Sequence, residues 1–328
     1  MAPRRSRLLR ITSEAAKARA AADQMDRASV DVIQIAERLG FPVLFRPTWS
    51  LLGATVIVDE RTKGILVTTR RSLGVQRFTL AHELGHILLN HESHFDVEPE
   101  LGLLLWVARS EEEQDANSFA SELLTPRDLI LSTAVRHGWG PGDLSRSSSL
   151  YQLSLRLGVS FEAMCWSLVS ARILGRPEAQ RLSSQTNLRQ LKDLLSQGCQ
   201  QSDSWADVWC LTEADSGTLI EAGPGDLFVA KLVSRASAGF LWDLKQESSS
   251  FELIRESSDP EYEYGSDGSS TLVLRARGAG SLEIDVSNRR PWSGQLAAAV
   301  RISVANYGKE DAGLPRAVRR NRLLRDPA

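Results

Sequence analysis

The sequence predicts an α+β chain: a helical first half that carries a small sheet, then an all-β sandwich. Three observations predict it. Apolar residues recur at helical spacing over much of 12–39, 75–90, 111–124 and 127–182, broken by short β-branched runs between 43 and 68. From Thr218 to Val304 the pattern changes to short alternating runs punctuated by Gly and Ser clusters, the pattern of a small sandwich. Between the two lies a Ser- and Gln-rich stretch, 183–215, expected to contain a linker.

In order along the chain, Val32, Ile33, Ile35, Ala36 and Leu39 give a helical apolar face within 12–39, and Gly40 with Pro42 stops it. Short strands are expected at 43–45, 54–58 and 64–68, the last two joined as a hairpin by the polar turn 59–63. Helices follow at about 75–90 and 111–124, the second ended by Pro126. Within the helical stretch 127–182, the segment 150–174 has the pattern of a helix–turn–helix around Gly158. In the sandwich, 227–232, 271–275 and 299–304 read as strands.

The 328 residues allow two or three domains, and 42% apolar with 24% charged residues is ordinary for a soluble globular chain. A net charge of −2 gives no global attraction to nucleic acid or membrane. Basic charge clusters locally at the ends, in Arg4, Arg5, Arg7 and Arg10 and in Arg316, Arg319, Arg320, Arg322 and Arg325. Both ends, 1–24 and 307–328, read as solvated basic arms. Cys165, Cys199 and Cys210 are odd in number and lack CxxC spacing, which argues against a disulfide framework or a thiolate zinc site. No early apolar run follows the basic start and no stretch approaches ~20 apolar residues, so the expectation is a cytoplasmic chain with no membrane partner.

The chemistry concentrates in His82-Glu83-Leu84-Gly85-His86. Two histidines four residues apart on a helix project from one face and can share one ion. Glu83 is placed to take a proton from a water at that ion. Phe78, Ala81, Leu84, Gly85, Leu88 and Leu89 supply the buried stripe, with Gly85 marking a close backbone approach. A catalytic zinc needs a third protein ligand and an open position. The acidic run Glu111-Glu112-Glu113 opens the next helix, and the residues alone leave the choice among the three open, since carboxylates also suit a helix N-terminus. One zinc per chain is expected, with manganese as the alternative metal.

These residues resemble the ImmA/IrrE family of metallopeptidases. Arg77-Phe78-Thr79-Leu80-Ala81-His82-Glu83-Leu84-Gly85-His86 is close to that family's RFTLAHELGH core, and 113–126 resembles its second block, E-x-x-A-N-x-F-A-x-x-L-L-x-P. The resemblance covers about 25–182 and implies a zincin-like domain over 25–135 with a helical helix–turn–helix-like segment at 136–182. It implies Glu113 as third ligand in preference to Glu112. Thr125 stands where the family often has Met, and Asn90-His91 follows the zinc helix where a His often comes one residue earlier. That leaves His91 and His94 as candidates for oxyanion or substrate contacts, against a reading as loop histidines. The resemblance also implies a cytoplasmic enzyme that cleaves a helix–turn–helix repressor in a stress, defence or mobile-element response. The segment 150–174 would support the catalytic domain or hold substrate. Its second helix, Phe161 to Ile173, carries only Arg172 as a base, too few for DNA phosphates.

The sandwich, expected over 216–306, resembles chagasin-type cysteine-peptidase inhibitors, which are immunoglobulin-like. Ser234 to Trp242 resembles an N-P-x-T-G-Y/F-x-W loop through Gly239, Phe240 and Trp242, although the Asn, Pro and Thr are replaced. Tyr264-Gly265-Ser266-Asp267-Gly268 stands near the place of a glycine-rich loop, and Arg290-Pro291-Trp292 matches an R-P-W loop. Trp242 reads equally as core and Pro291-Trp292 as a packed turn. Three functional readings follow: a zinc endopeptidase whose β domain selects a protein, a non-catalytic zinc-stabilised regulator, and a chagasin-like inhibitor.

Overall fold

The computed structural model describes residues 2–25, 29–57, 63–91, 95–97, 110–201, 206–223, 225–244, 251–259, 268–278 and 280–306. They form two compact units, one made by the chain up to Gln185 and one beginning at Thr186.

The first unit opens with α1 (Ala2–Ala21) and α2 (Val32–Arg38), followed by β1 (Val43–Arg46), β2 (Leu51–Ile57) and β3 (Lys63–Thr68). Then come α3 (Leu73–Leu88), β4 (Phe95–Val97), α4 (Glu111–Leu124), α5 (Arg127–Arg136), α6 (Pro141–Leu144), α7 (Ser147–Leu157), α8 (Phe161–Ser170) and α9 (Arg176–Gln185). The sheet order is β1-β3-β2-β4. The expected hairpin forms, with Thr55 opposite Ile65, while β1 joins β3 in parallel.

Helix α3 is the centre of this unit. Every residue from Gln76 to Ile87 is buried, because the helix packs on β2 and β3 and also on α4. A helix hydrophobic on most faces must be enclosed in this way. Two glycines allow the close approach. A Cβ at Gly85 would lie 3.0 Å from Phe119 Cδ1 and 3.3 Å from Ala116 Cα of α4, and one at Gly53 of β2 would run into the Thr79 methyl of α3.

The helix–turn–helix pattern is realised by α7 and α8, separated by Gly158 at φ +65°. Ser160 caps α8 by accepting the Ala163 N–H at 3.1 Å. This turn lies against α3: a Cβ on Gly74 would meet the Val159 carbonyl carbon at 2.8 Å, and one on Gly158 would meet the Arg77 guanidinium carbon at 2.6 Å. Arg77 also donates to the Val30 carbonyl. Thr125, at the position where the resembling family often has Met, joins α4 to α8 through a 2.8 Å hydroxyl contact with Ser167.

Three expectations need correction. The basic start is not a solvated arm. Residues from Ala2 form α1, whose Ile11, Ala15 and Ala18 are buried, and the helix packs on α4. Nor is 12–39 one helix. The chain turns at Asp23 (φ +56°), and the Gln24 side chain donates to the Asp31 carbonyl at 3.0 Å and accepts the Asp31 N–H at 2.7 Å. Asp31 then caps α2 by accepting from Gln34 at 3.1 Å. The Ser- and Gln-rich stretch is in part folded, holding α10 (Leu188–Leu195) and β5 (Val208–Leu211). Lys192 anchors α10 through the Ala206 carbonyl and Asp207 Oδ1, each at 2.8 Å. The basic end, 307–328, lies outside the described residues.

The second unit continues with β6 (Leu219–Glu221), β7 (Leu227–Ser234), β8 (Leu241–Leu244), β9 (Phe251–Asp259), β10 (Gly268–Ala276), β11 (Gly280–Arg289) and β12 (Leu296–Asn306). They make two four-stranded sheets, β5-β7-β10-β9 and β6-β12-β11-β8. Val208, Leu227, Val229 and Val273 form a buried cluster extended by Leu195 of α10. Trp242 of β8 is buried and donates its indole N–H to the Val233 carbonyl of β7 at 2.8 Å, so it ties one sheet to the other.

Candidate metal centre

The helical spacing of His82 and His86 puts both imidazoles on the face of α3 that meets the first turn of α4. That turn is set locally. Ser110 accepts the Glu113 N–H at 3.2 Å, and three carboxylates favour the positive end of the helix. Of the three, Glu113 reaches the histidines. Its carboxylate oxygens lie 3.3 Å from His82 Nε2 and 3.3 Å from His86 Nε2. The two Nε2 atoms are 3.0 Å apart. The three side chains form a group that can hold a metal ion. Hydrogen bonding to the two histidines holds the Glu113 carboxyl well below the usual carboxylate range, against the opposing effect of burial.

Each remaining ring nitrogen has a neighbour. His82 Nδ1 is 2.9 Å from the amide oxygen of Asn117, one turn beyond Glu113 on α4. His86 Nδ1 is 3.1 Å from His91 Nδ1. His91 reaches it because Asn90 takes φ +58° just past the helix end and the His91 N–H returns to the His86 carbonyl at 2.9 Å. Burial, followed by the neighbouring His86, lowers the His91 pKa, which favours its neutral ring. The structure thus gives His91 a contact with the outward nitrogen of His86. His94 lies outside the described residues.

Glu83 is buried beside the cluster and accepts the Thr55 hydroxyl at 2.9 Å. Gly53, two residues earlier on β2, makes room for it: a Cβ there would lie 3.1 Å from Glu83 Oε1. Asn117 and Thr55 were not singled out from the sequence. The i+4 spacing of Asn117 from Glu113 was a readable hint, whereas the Thr55 contact needs the sheet to be placed against α3.

In the second unit, two turns come together. Gly239 (φ +79°) closes the turn before β8, and the Trp292 indole lies directly on it, where any Cβ would collide. Arg290 lies 4.5 Å over the Phe240 ring and donates to the Ala238 carbonyl at 3.2 Å. Pro291 and Trp292 sit in the β11–β12 turn, closed by Gly294 N–H to the Arg290 carbonyl at 2.8 Å. Trp292 is 74% exposed, whereas Trp242 is core. The loop residues 264–267 lie outside the described residues.

A helical unit with a metal-competent His/His/Glu cluster, joined in one chain to a β-sandwich, is the class these features define. Comparison with known families names the parts. Residues 36–168 match the family model described as IrrE N-terminal-like domain, Peptidase_M78. Residues 221–304 match the chagasin family peptidase inhibitor I42 model. The first unit therefore contains a metallopeptidase-like domain and the second a chagasin-like one. No curated protein matches the chain. Among solved structures, the cysteine protease inhibitor EhICP2 from Entamoeba histolytica is similar at 20% identity, over 31% of this chain and 96% of that one, with TM-score 0.28. Amebosin is similar at 19% identity over 31% and 97%, with TM-score 0.27. PbICP-C, solved in complex with falcipain-2, is similar at 14% identity over 31% and 92%, with TM-score 0.21.

Proposed function

We propose that the first unit is a zinc endopeptidase acting on a protein substrate, with His82, His86 and Glu113 as ligands and Glu83 as the proton-transfer group. The observation that carries this is the convergence of donor atoms: the two Nε2 atoms are 3.0 Å apart, Glu113 Oε2 is 3.3 Å from His82 Nε2, and Glu113 Oε1 is 3.3 Å from His86 Nε2. Donors at about 2.0–2.1 Å from one tetrahedral zinc lie about 3.3–3.4 Å apart. Two imidazoles and a carboxylate also suit zinc better than manganese. Zinc held there supplies Lewis acidity, polarising a peptide carbonyl and lowering the pKa of solvent at the open position. Glu83 takes the proton from the attacking water and returns it to the leaving amine, while Thr55 holds its carboxylate in place.

The substrate class, a helix–turn–helix repressor cut in the cytoplasm during a stress or mobile-element response, rests on the family resemblance. No helix among the described residues is long and apolar enough to cross a membrane. The exposed Trp292, with Phe240 and Arg290 beside it, favours a protein-recognition role for the second unit.

The test is incubation of a candidate repressor with zinc-loaded wild type and with Glu83→Gln, followed by mass spectrometry. Cleavage by wild type alone is the expected result. Equal cleavage by both removes the role of Glu83. Intact substrate in a stable complex with the wild type points to sequestration. The chagasin-type match supports a second reading, inhibition of a papain-like peptidase. Full-length Glu83→Gln protein added to papain tests it, and Trp292→Ala should abolish any inhibition seen.

A further inference from the structure

Helix α1 precedes the residues that match the peptidase family model, which begins at 36, yet it is built against the element that carries Glu113. Its buried stripe of Ile11, Ala15 and Ala18 is mostly small, and the helix packs on α4. At the end of this contact Arg7 grips the first turn of α4. Arg7 Nε donates to Asp115 Oδ1 at 2.5 Å, Nη1 pairs with Glu111 Oε2 at 3.0 Å, and Nη2 donates to the Glu111 carbonyl. The bonded groups belong to residues two before and two after Glu113. A planar guanidinium offers donors in fixed directions, so it fixes both ends of that turn at once. The first turn of a helix is otherwise where the backbone frays, and Ser110 supplies its other tie.

We propose that Arg7 is a positioning residue for the metal centre: through Asp115 and Glu111 it holds the first turn of α4 so that Glu113 faces His82 and His86. The inference rests on the zinc reading above. Its sign separates it from simple electrostatics. Removing a positive charge near a cation site strengthens cation binding by Coulomb's law, whereas loosening the turn weakens it. Outer partners of metal ligands typically change affinity by about 10–100-fold.

The experiment measures the zinc dissociation constant of the full chain by chelator competition, together with the visible absorption spectrum of the cobalt-substituted protein. It compares wild type, Arg7→Ala, Arg7→Lys and Lys17→Ala. Lys17 is also on α1 and, among the described residues, pairs locally with Glu14 at 2.7 Å. Arg7→Ala and Arg7→Lys are expected to weaken zinc by about tenfold or more and to alter the cobalt spectrum, with Lys17→Ala like wild type. Arg7→Lys keeps the charge and loses only the fork, so it stands as the test if Arg7→Ala does not fold. Unchanged or tighter zinc binding with an unchanged spectrum in the Arg7 variants overturns the proposal. Failure of the wild type itself to bind one zinc overturns the zinc reading instead.

Discussion

Asn117 and His82 meet across the packed faces of α3 and α4, the amide oxygen 2.9 Å from His82 Nδ1. An amide oxygen only accepts, so Nδ1 carries a proton, and a bound ion would take the Nε2 lone pair. The contact fixes tautomer and ring angle together. Asn117→Ala should therefore weaken zinc by about 10–100-fold, read by chelator competition, while secondary structure by circular dichroism stays unchanged. Asn117→Asp keeps an acceptor and should bind zinc at least as tightly as wild type. Equal affinities in wild type and Asn117→Ala would remove this role.

Thr55 and Gly53 act on Glu83 in separable ways. Thr55→Val is close to isosteric and removes one hydrogen bond to a carboxylate, worth roughly 1.5–3 kcal/mol. Turnover should fall by about tenfold or more with zinc affinity unchanged. Gly53→Ala should instead destabilise the fold by about 1–3 kcal/mol, because the new methyl collides with Thr79 and crowds Glu83. A melting curve that matches wild type would show that β2 can move away from α3 without cost.

The contrast between α4 and α1 shows which parts of the fold were readable beforehand. The limits expected for α4 match Glu111–Leu124, since its cap, its acidic first turn and the following Pro126 are all local signals. The segment of α1 looked like a charged arm because its apolar stripe is mostly alanine and because the partner of Arg7 lies 108 residues away. The three residues of β4 are too few to carry a pattern. Similarly, α10 hid in a polar stretch because its anchor, Lys192, takes its meaning from Ala206 and Asp207. At the candidate centre, the His82–His86 spacing was legible, and the choice of Glu113 came from a family likeness. The contacts of Asn117, Thr55 and Arg7 depend on which helices and strands meet in space, which the sequence does not state locally.

The three cysteines differ in burial. Burial, followed by the nearby Glu162, pushes the Cys165 thiol up to about 12, so almost no thiolate is present at neutral pH. Cys199 and Cys210 are half-buried and form no disulfide. Intact-mass analysis after maleimide treatment at pH 7.5 should show no more than two additions under native conditions and three after denaturation. Rapid native modification of Cys165 would contradict the packing of α8.

The last prediction concerns Asp226, which joins the start of β7 to β5. It is only 3% exposed, and its carboxylate accepts the Asp207 N–H at 2.8 Å, the Trp209 indole N–H at 2.9 Å and the Gly223 N–H at 2.9 Å. Those donors favour the ionised form. Burial opposes them and is the larger effect, with the Asp207 charge adding to it, so the pKa is raised above the usual carboxylate range. An acid with a folded pKa above its unfolded value contributes stability that is fully present below the unfolded pKa, about 3.9. That contribution is lost as pH rises from there through the folded pKa. Asp226→Asn cannot titrate. It also turns an amide N–H₂ toward a group of donors, at a cost of about 1–3 kcal/mol. The variant should melt below wild type, and the gap in melting temperature should be wider at pH 5 than at pH 8, narrowing steadily between them. A gap that widens toward pH 8 would mean that the three donors outweigh burial and that Asp226 is an ordinary ionised acceptor in the folded protein.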